Sequence, residues 1–368
     1  MTSATAGLDD AALLEALVRI PSVTGAEAEA VRFLQRHARA DGFRVTEDAA
    51  GNFIAETGSG PRLLLFVGHV DTVPGHIPVR VEGDALWGRG SVDAKGPLVA
   101  AYCAARRHKD SKALTVRIVG AVDEEGDSRG AKALDRTLRP EWIVVGEPSG
   151  VHGITLGYKG ILRGAFRLER FRAHGAHPGR TAVEDAIAFW NDVAFTYGLE
   201  DRFETMQGHL TSLTTESDGL VDRVEGRFHL RLPPGHHPET VEKEVRRLAE
   251  RNGVTVEGHE RMPPALASKR TPLVAAFLES IRGHGGEARL LRKTGTADFC
   301  LLAEWHPGVP IVAYGPGDAG LDHTPEERIE LPEFRQAVTI LDGVFTRLAA
   351  TPVYQHPRNM EQAFPPRV

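Results

Sequence analysis

The stretch "RLLLFVGHVDTVPG" (62–75) opens as an apolar run and closes on a histidine and an aspartate two positions apart, His69 and Asp71. An unbroken apolar run at 63–67 suits a strand covered on both faces, because a half-exposed strand would alternate. Ionisable groups at the end of so oily a strand do little for packing. Comparable runs recur at "LTVRIVGAV" (114–122), "WIVVG" (142–146) and "VPIVAYG" (309–315), with helical patterns between some of them, such as "GPLVAAYCAARRHKD" (96–110). Upstream, "DDAALLEALVRI" (9–20) and "AEAEAVRFLQRHARADG" (26–42) read as two helices broken by "PSVTG", the second stopping at Gly42. Apolar strands alternating with helices predict an α/β fold, a mixed, mostly parallel sheet with helices on both faces.

Residues 157–268 read differently. "ILRGAFRLERF" (161–171) and "VEGRFHLRLPP" (224–234) alternate with period two, "AVEDAIAFWNDVAFTYG" (182–198) and "PETVEKEVRRLAERNG" (238–253) are helical, and "VTVEG" (254–258) is a further strand. This order predicts an inserted α+β unit of ferredoxin-like β-α-β-β-α-β type. Residues 1–156 and 269–368 would then make the larger domain, in keeping with a chain of 368 residues. Composition is that of a globular protein, 41% hydrophobic and 26% charged, with no run long enough to cross a membrane. Only Cys103 and Cys300 are present, without metal-type spacing, and the N-terminal stretch lacks a signal-peptide pattern. The cytoplasm is therefore the expected compartment. A net charge of −6 argues against nucleic acid as a partner.

The residues just past each strand carry the chemistry. His69 and Asp71 come after the first, Asp123, Glu124 and Glu125 after the second, Glu147 after the third, and Asp318, Asp322 and His323 after the fourth. In open α/β sheets ligands bind beyond the carboxyl ends of the strands, so these groups converge on one edge. Asp93, in "GRGSVDAKG" (88–96), joins them; that loop fits neither a dinucleotide nor a P-loop spacing. Singly, an HxD pair or an acidic turn is ordinary surface. Gathered, the carboxylates need countercharge, and Asp, Glu and His together are a donor set for open zinc sites. One shared acid suits a metal pair bridged by Asp93. Asp71 would accept a proton from the second nitrogen of His69 and fix its tautomer.

"GHVDTVPG", "GRGSVDAKG", "VDEEGD", "GEPS" and "LDHTPEE" resemble, in order, the motifs of the co-catalytic zinc peptidases and amidohydrolases, the group of aminoacylase, glutamate carboxypeptidase, acetylornithine deacetylase and succinyl-diaminopimelate desuccinylase. The resemblance runs over nearly the whole chain and implies that residues 157–268 are a lid or dimerisation domain. It implies two zinc ions, for which cobalt could substitute: His69 and Glu147 on one, Glu125 and His323 on the other, Asp93 between. Glu124 would be the general base, and a lid histidine in "RAHGAHPG" (172–179), His177 or else His174, would supply an oxyanion donor. A cis peptide is implied at Asp93–Ala94.

The resemblance also bears on the substrate. "TGTADF" (294–299) matches a turn, with Thr294, Gly295 and Thr296, that helps hold the substrate carboxylate in relatives, and Arg231 matches a lid arginine that pairs with it. "GEPSG", "TTESDG", "KTGTAD" and "YGPGDAGLDHTPEE" resemble most the branch that releases lysine or ornithine from an acidic amino-group carrier protein, whose C-terminal glutamate side chain is amide-linked to the amino acid. Lys159, Arg163, Arg167, Arg170, Arg172 and Arg180, against Glu169 alone, would steer such a carrier. Competing readings are an acetyl-lysine or acetyl-ornithine deacetylase or dipeptidase on the same scaffold, and a metal-holding protein that binds an amino-acid conjugate without cleaving it. The second leaves Glu124 without a use.

Overall fold

The computed structural model describes residues 9–172, 174 and 178–351. Among them a nine-stranded sheet runs in the order Arg44–Thr46, Phe53–Gly58, Leu114–Ala121, Arg62–His69, Trp142–Val145, Ile311–Ala313, Gly153–Tyr158, Ala265–Leu266, with Arg289–Lys293 also paired to Gly153–Tyr158. The sheet is mixed. Its four central strands, from Leu114–Ala121 to Ile311–Ala313, are mutually parallel. The flanks at Phe53–Gly58 and Gly153–Tyr158 join antiparallel.

The apolar run explains the layering. Side chains alternate across a strand, so Leu64 and Phe66 of Arg62–His69 enter one core with helices Lys95–Arg106, Pro272–Gly283 and Leu331–Ala350. Leu65 and Val67 enter the other, with helix Asp298–Trp305. Both faces are therefore dry, and the carboxyl ends of the parallel strands are where this sheet admits polar groups. The strand within 309–315 is shorter than its apolar run: Pro310 has no N–H to give, although its carbonyl accepts from Ile143 N at 3.0 Å.

A separate four-stranded antiparallel sheet has the order Gln207–Ser217, Val221–Leu232, Gly160–Phe171, Thr255–Met262. With helices Ala182–Tyr197 and Pro238–Arg251 it forms the β-α-β-β-α-β pattern around its own core, which includes Phe166, Phe189, Phe228 and Val245. The first helix starts on a reciprocal Thr181–Glu184 capping box and stops at Gly198 in the left-handed region. Gly226 is required by packing: a Cβ there would lie 2.2 Å from the Phe166 ring. A three-stranded ribbon, Arg80–Glu82, Ala85–Trp87 and Arg328–Glu330, ties the chain just past His323 to the chain just before the 88–96 loop.

Phe189 is fully buried and packs edge-on to Phe166 at 5.2 Å. Phe189→Ala is expected to destabilise the 160–262 unit by about 3–5 kcal/mol, read from urea unfolding; a loss below about 1 kcal/mol would contradict the packing described.

Candidate metal centre

Four of the five residues singled out as ligands, His69, Glu125, Glu147 and His323, sit where the central strands end. His69 is the last residue of its strand, Glu124 and Glu125 follow Leu114–Ala121, Glu147 follows Trp142–Val145, and His323 follows Ile311–Ala313 through the short helical turn Ala319–Leu321. Asp93 precedes helix Lys95–Arg106, and the Asp93–Ala94 peptide is cis.

Asp93 is the hub. Its Oδ1 lies 3.1 Å from His69 Nε2 and its Oδ2 lies 3.0 Å from His323 Nε2. His323 Nε2 also meets Glu125 Oε1 at 2.8 Å. Donor atoms of His69, Asp93 and Glu125 all fall within 4.8 Å of one another. One carboxylate thus presents each oxygen to a different imidazole, the arrangement a bridging ligand needs.

Asp71 meets His69 through two groups. The Nδ1 of His69 meets the main-chain carbonyl of Asp71 at 3.0 Å, while the Asp71 carboxylate stands at 3.5 Å. That carboxylate accepts the N–H groups of Glu124 and Glu125, at 3.0 and 3.1 Å, and the Thr24 hydroxyl at 2.9 Å. The residue therefore holds His69 with both its carbonyl and its carboxylate, and the carboxylate also anchors the turn bearing Glu124. Asp123, at φ 65° in the left-handed region, lets that turn fold back.

The electrostatics are those of a cage short of positive charge. Withdrawal from water pushes the Glu124 carboxyl well up, with Asp298, Glu147 and Glu125 adding to it and His69 opposing. Burial, then the Asp93 charge, lifts Glu147 to about 7. Burial, then Asp93, lifts Asp322 to about 8. For Asp93 burial works upward, but the hydrogen bonds of His323 and His69 outweigh it and hold the carboxyl low. The same bonds to Asp93 and Glu125 raise His323 to about 10. Asp298 Oδ1 and Asp322 Oδ1 are buried without a hydrogen-bond donor among the described residues. Two imidazoles, several carboxylates and orphaned carboxyl oxygens fit divalent cations of the zinc class.

Glu327 is a supporting residue that sequence reasoning did not assign. It is fully buried; Oε1 accepts the N–H groups of Val92 and Asp93 at 3.0 and 3.2 Å, and Oε2 holds Arg89 at 2.8 Å. The buried Lys95 ammonium donates to the Ile20 and Leu17 carbonyls at 2.8 and 3.3 Å, pinning the other side of the Asp93 loop. Glu327 was visible only as an acid in "LDHTPEE", and nothing in a sequence separates a buried glutamate from a solvated one.

A cleft of about 160 Å³ opens beside the centre, lined by Glu124, Glu125 and His323 on one side and by Arg163, Arg231 and Glu260 on the other. Arg231 Nη1 donates to Thr296 Oγ1 at 2.7 Å, which donates to the Lys159 carbonyl at 2.9 Å. Thr294 is exposed, and neither it nor Gly295 is among the residues lining the cleft. His177 lies outside the described residues; His174 is exposed. The six cations from Lys159 to Arg180 do not make one patch. Lys159 is buried, Arg163 pairs with Glu260 at 2.8 Å, and Arg170 and Arg180 turn to Asp185 at 2.8 and 3.7 Å.

This architecture and donor set are those of a metal-dependent peptidase fold. The chain belongs to peptidase family M20/M25/M40, whose model matches residues 65–347. It is 44% identical over 338 residues to a Pyrococcus abyssi protein provisionally named LysW-lysine/LysW-ornithine hydrolase, covering 91% of this chain and 93% of the relative. It is 41% identical over 354 residues to the LysW-lysine hydrolase of Deinococcus radiodurans, covering 91% and 96%. The aminopeptidase PepT of Bacillus cereus superposes with a TM-score of 0.78 at 20% identity over 93% of this chain and 99% of its own. The Bacillus subtilis YXEP protein, a dinuclear metal-binding M20 peptidase, superposes at 0.66 and 14% identity over 92% and 96%. No helix among the described residues is long and apolar enough to cross a membrane.

With His323 raised to about 10 and Glu147 to about 7, the metal-free centre carries protons at pH 7 that ligation must displace. Zinc binding at pH 7 is expected to release about one to three protons per chain, measured by calorimetry in buffers of different ionisation enthalpy. Binding with no proton release would contradict these electrostatics.

Proposed function

We propose that this protein hydrolyses the amide linking lysine or ornithine to the C-terminal glutamate side chain of an acidic amino-group carrier protein, releasing the free amino acid in lysine or arginine biosynthesis. The observation that carries the chemistry is Asp93, one oxygen toward each histidine, with the raised carboxyl of Glu124 alongside. The names of the relatives supply the substrate. Residues 1–156 and 269–368 would form the catalytic domain and 157–268 the lid, through which a homodimer would assemble. A reducing compartment such as the cytoplasm suits the two buried free thiols, Cys103 and Cys300.

His69 and Glu147 would hold one metal ion, Glu125 and His323 the second, with Asp93 shared. Bound there, divalent ions of the zinc or cobalt type polarise a carbonyl and make water acidic near neutral pH. Glu124 takes a proton from the attacking water, whose oxygen adds to the amide carbon. As the C–N bond breaks, Glu124 returns that proton to the departing amine, and the water oxygen remains in the glutamate carboxylate. Burial and the neighbouring carboxylates raise the Glu124 carboxyl, the direction that helps a base act later as an acid. Arg231, steadied by Thr296, offers a fork for the α-carboxylate of the departing amino acid. His177 would donate to the developing oxyanion.

Thorough chelation is expected to abolish activity, and zinc or cobalt to restore it. Glu124→Gln should keep its metal while turnover drops by about 10²-fold or more; a near-normal rate would remove Glu124 as the base. Carrier-linked lysine should be cleaved in preference to acetyl-lysine and acetyl-ornithine, and the opposite ranking would identify a deacetylase.

A further inference from the structure

A hydrolase of lysine or ornithine conjugates, the function proposed above, must hold a cationic side chain as well as a carboxylate. Among the described residues lining the cleft, three are acids: Glu124, Glu125 and Glu260. The first two belong to the metal centre. Glu260 stands on the opposite wall, on strand Thr255–Met262.

Its placement comes from an irregularity in that strand. The pairing with Gly160–Phe171 runs Gly258↔Gly164, then shifts, and resumes Glu260↔Arg163, Arg261↔Leu162, Met262↔Ile161. The step from Gly258 to Glu260 takes two residues against one on the partner strand, and one extra residue reverses which face the following side chains take. Without it Glu260 would share the face of Val256, which lies in the helix-covered core. With it Arg261 turns to the helices and pairs with Glu242 of Pro238–Arg251, while Glu260 turns into the cleft. Bulges of this kind re-aim side chains beside active sites.

Arg231 and Glu260 flank the middle strand of this wall. Arg231 pairs with Ile161 across the sheet, whereas Glu260 pairs with Arg163, two residues further along the same strand. Two residues of strand span about 6.5 Å along the strands, and the two intervening strand spacings add about 9.5 Å across them. An extended lysine side chain covers about 6 Å from Cα to its nitrogen, at typical bond lengths. Both side chains line the one cleft, so a lysine lying across the middle strand can offer its carboxylate to Arg231 and its ammonium to Glu260. Arg163 Nη1 holds Glu260 Oε2 at 2.8 Å, and a carboxylate has lone pairs for a second cation. Without Glu260 this wall would present only Arg163 and Arg231, which would repel an ammonium.

We propose that Glu260, turned into the cleft by the bulge between Gly258 and Glu260 and steadied by Arg163, binds the side-chain ammonium of the departing amino acid and sets the preference for lysine or ornithine over neutral side chains. The test uses acidic peptides ending in glutamate whose γ-carboxyl is linked to the α-amine of lysine or of norleucine, its uncharged counterpart. The holoenzyme is expected to favour lysine by about 10- to 100-fold in kcat/KM. In Glu260→Gln the lysine value should fall to near that of norleucine, while the norleucine value stays within about twofold and metal content is unchanged. Equal losses on both conjugates would make Glu260 merely structural, and an unchanged lysine value would exclude it; either result overturns the assignment and leaves the hydrolase reading standing. Cleavage of neither conjugate by the holoenzyme, alongside cleavage of acetylated amino acids, would overturn both.

Discussion

The structure turns on one carboxylate. Asp93 faces His69 with one oxygen and His323 with the other, and these imidazoles come from sequence positions more than two hundred residues apart. Its surroundings resist rearrangement: Glu327 fixes the main chain at Val92 and Asp93, Lys95 pins the following turn to the carbonyls of Leu17 and Ile20, and Asp71 grips the turn that carries Glu124 and Glu125. Packing so many acids together is unfavourable unless cations enter. The fold supplies the rigidity that holds them in place until that happens.

The rigidity has a simple origin. A parallel sheet with both faces dry leaves polar groups little room except at strand ends, so one oily run places His69 and its neighbours place the acids. The four-stranded unit adds a wall of its own, and its contact through Arg231 with Thr296, in the turn before helix Asp298–Trp305, sits beside the reacting groups rather than far from them. Positioning and binding are thus divided: one sheet holds the metal ligands, and the other presents charges to a substrate.

Much of this is legible in the amino-acid sequence. The run at 63–67, the acids after 114–122 and 142–146, and the ordered motifs through "LDHTPEE" lead to the sheet, its dry faces and the meeting of His69, Asp93, Glu125 and His323. Features that depend on where a side chain points are not legible there. Strand Gln207–Ser217 is mostly exposed and carries little alternation, because its pairing with Val221–Leu232 holds it. The cations from Lys159 to Arg180 look like one patch in sequence, yet Arg170 faces Asp185 of a helix and Lys159 is buried. Asp71 reads as a partner of His69 alone, whereas its carboxylate also holds the neighbouring turn. Glu260 gives no signal at all, since its direction depends on a single extra residue in a strand.

The most direct measurement is the anomalous-diffraction structure of the zinc-loaded protein. The account predicts two ions about 3.5–4 Å apart with one Asp93 oxygen on each. A single ion, or a pair held without Asp93 between them, would contradict it.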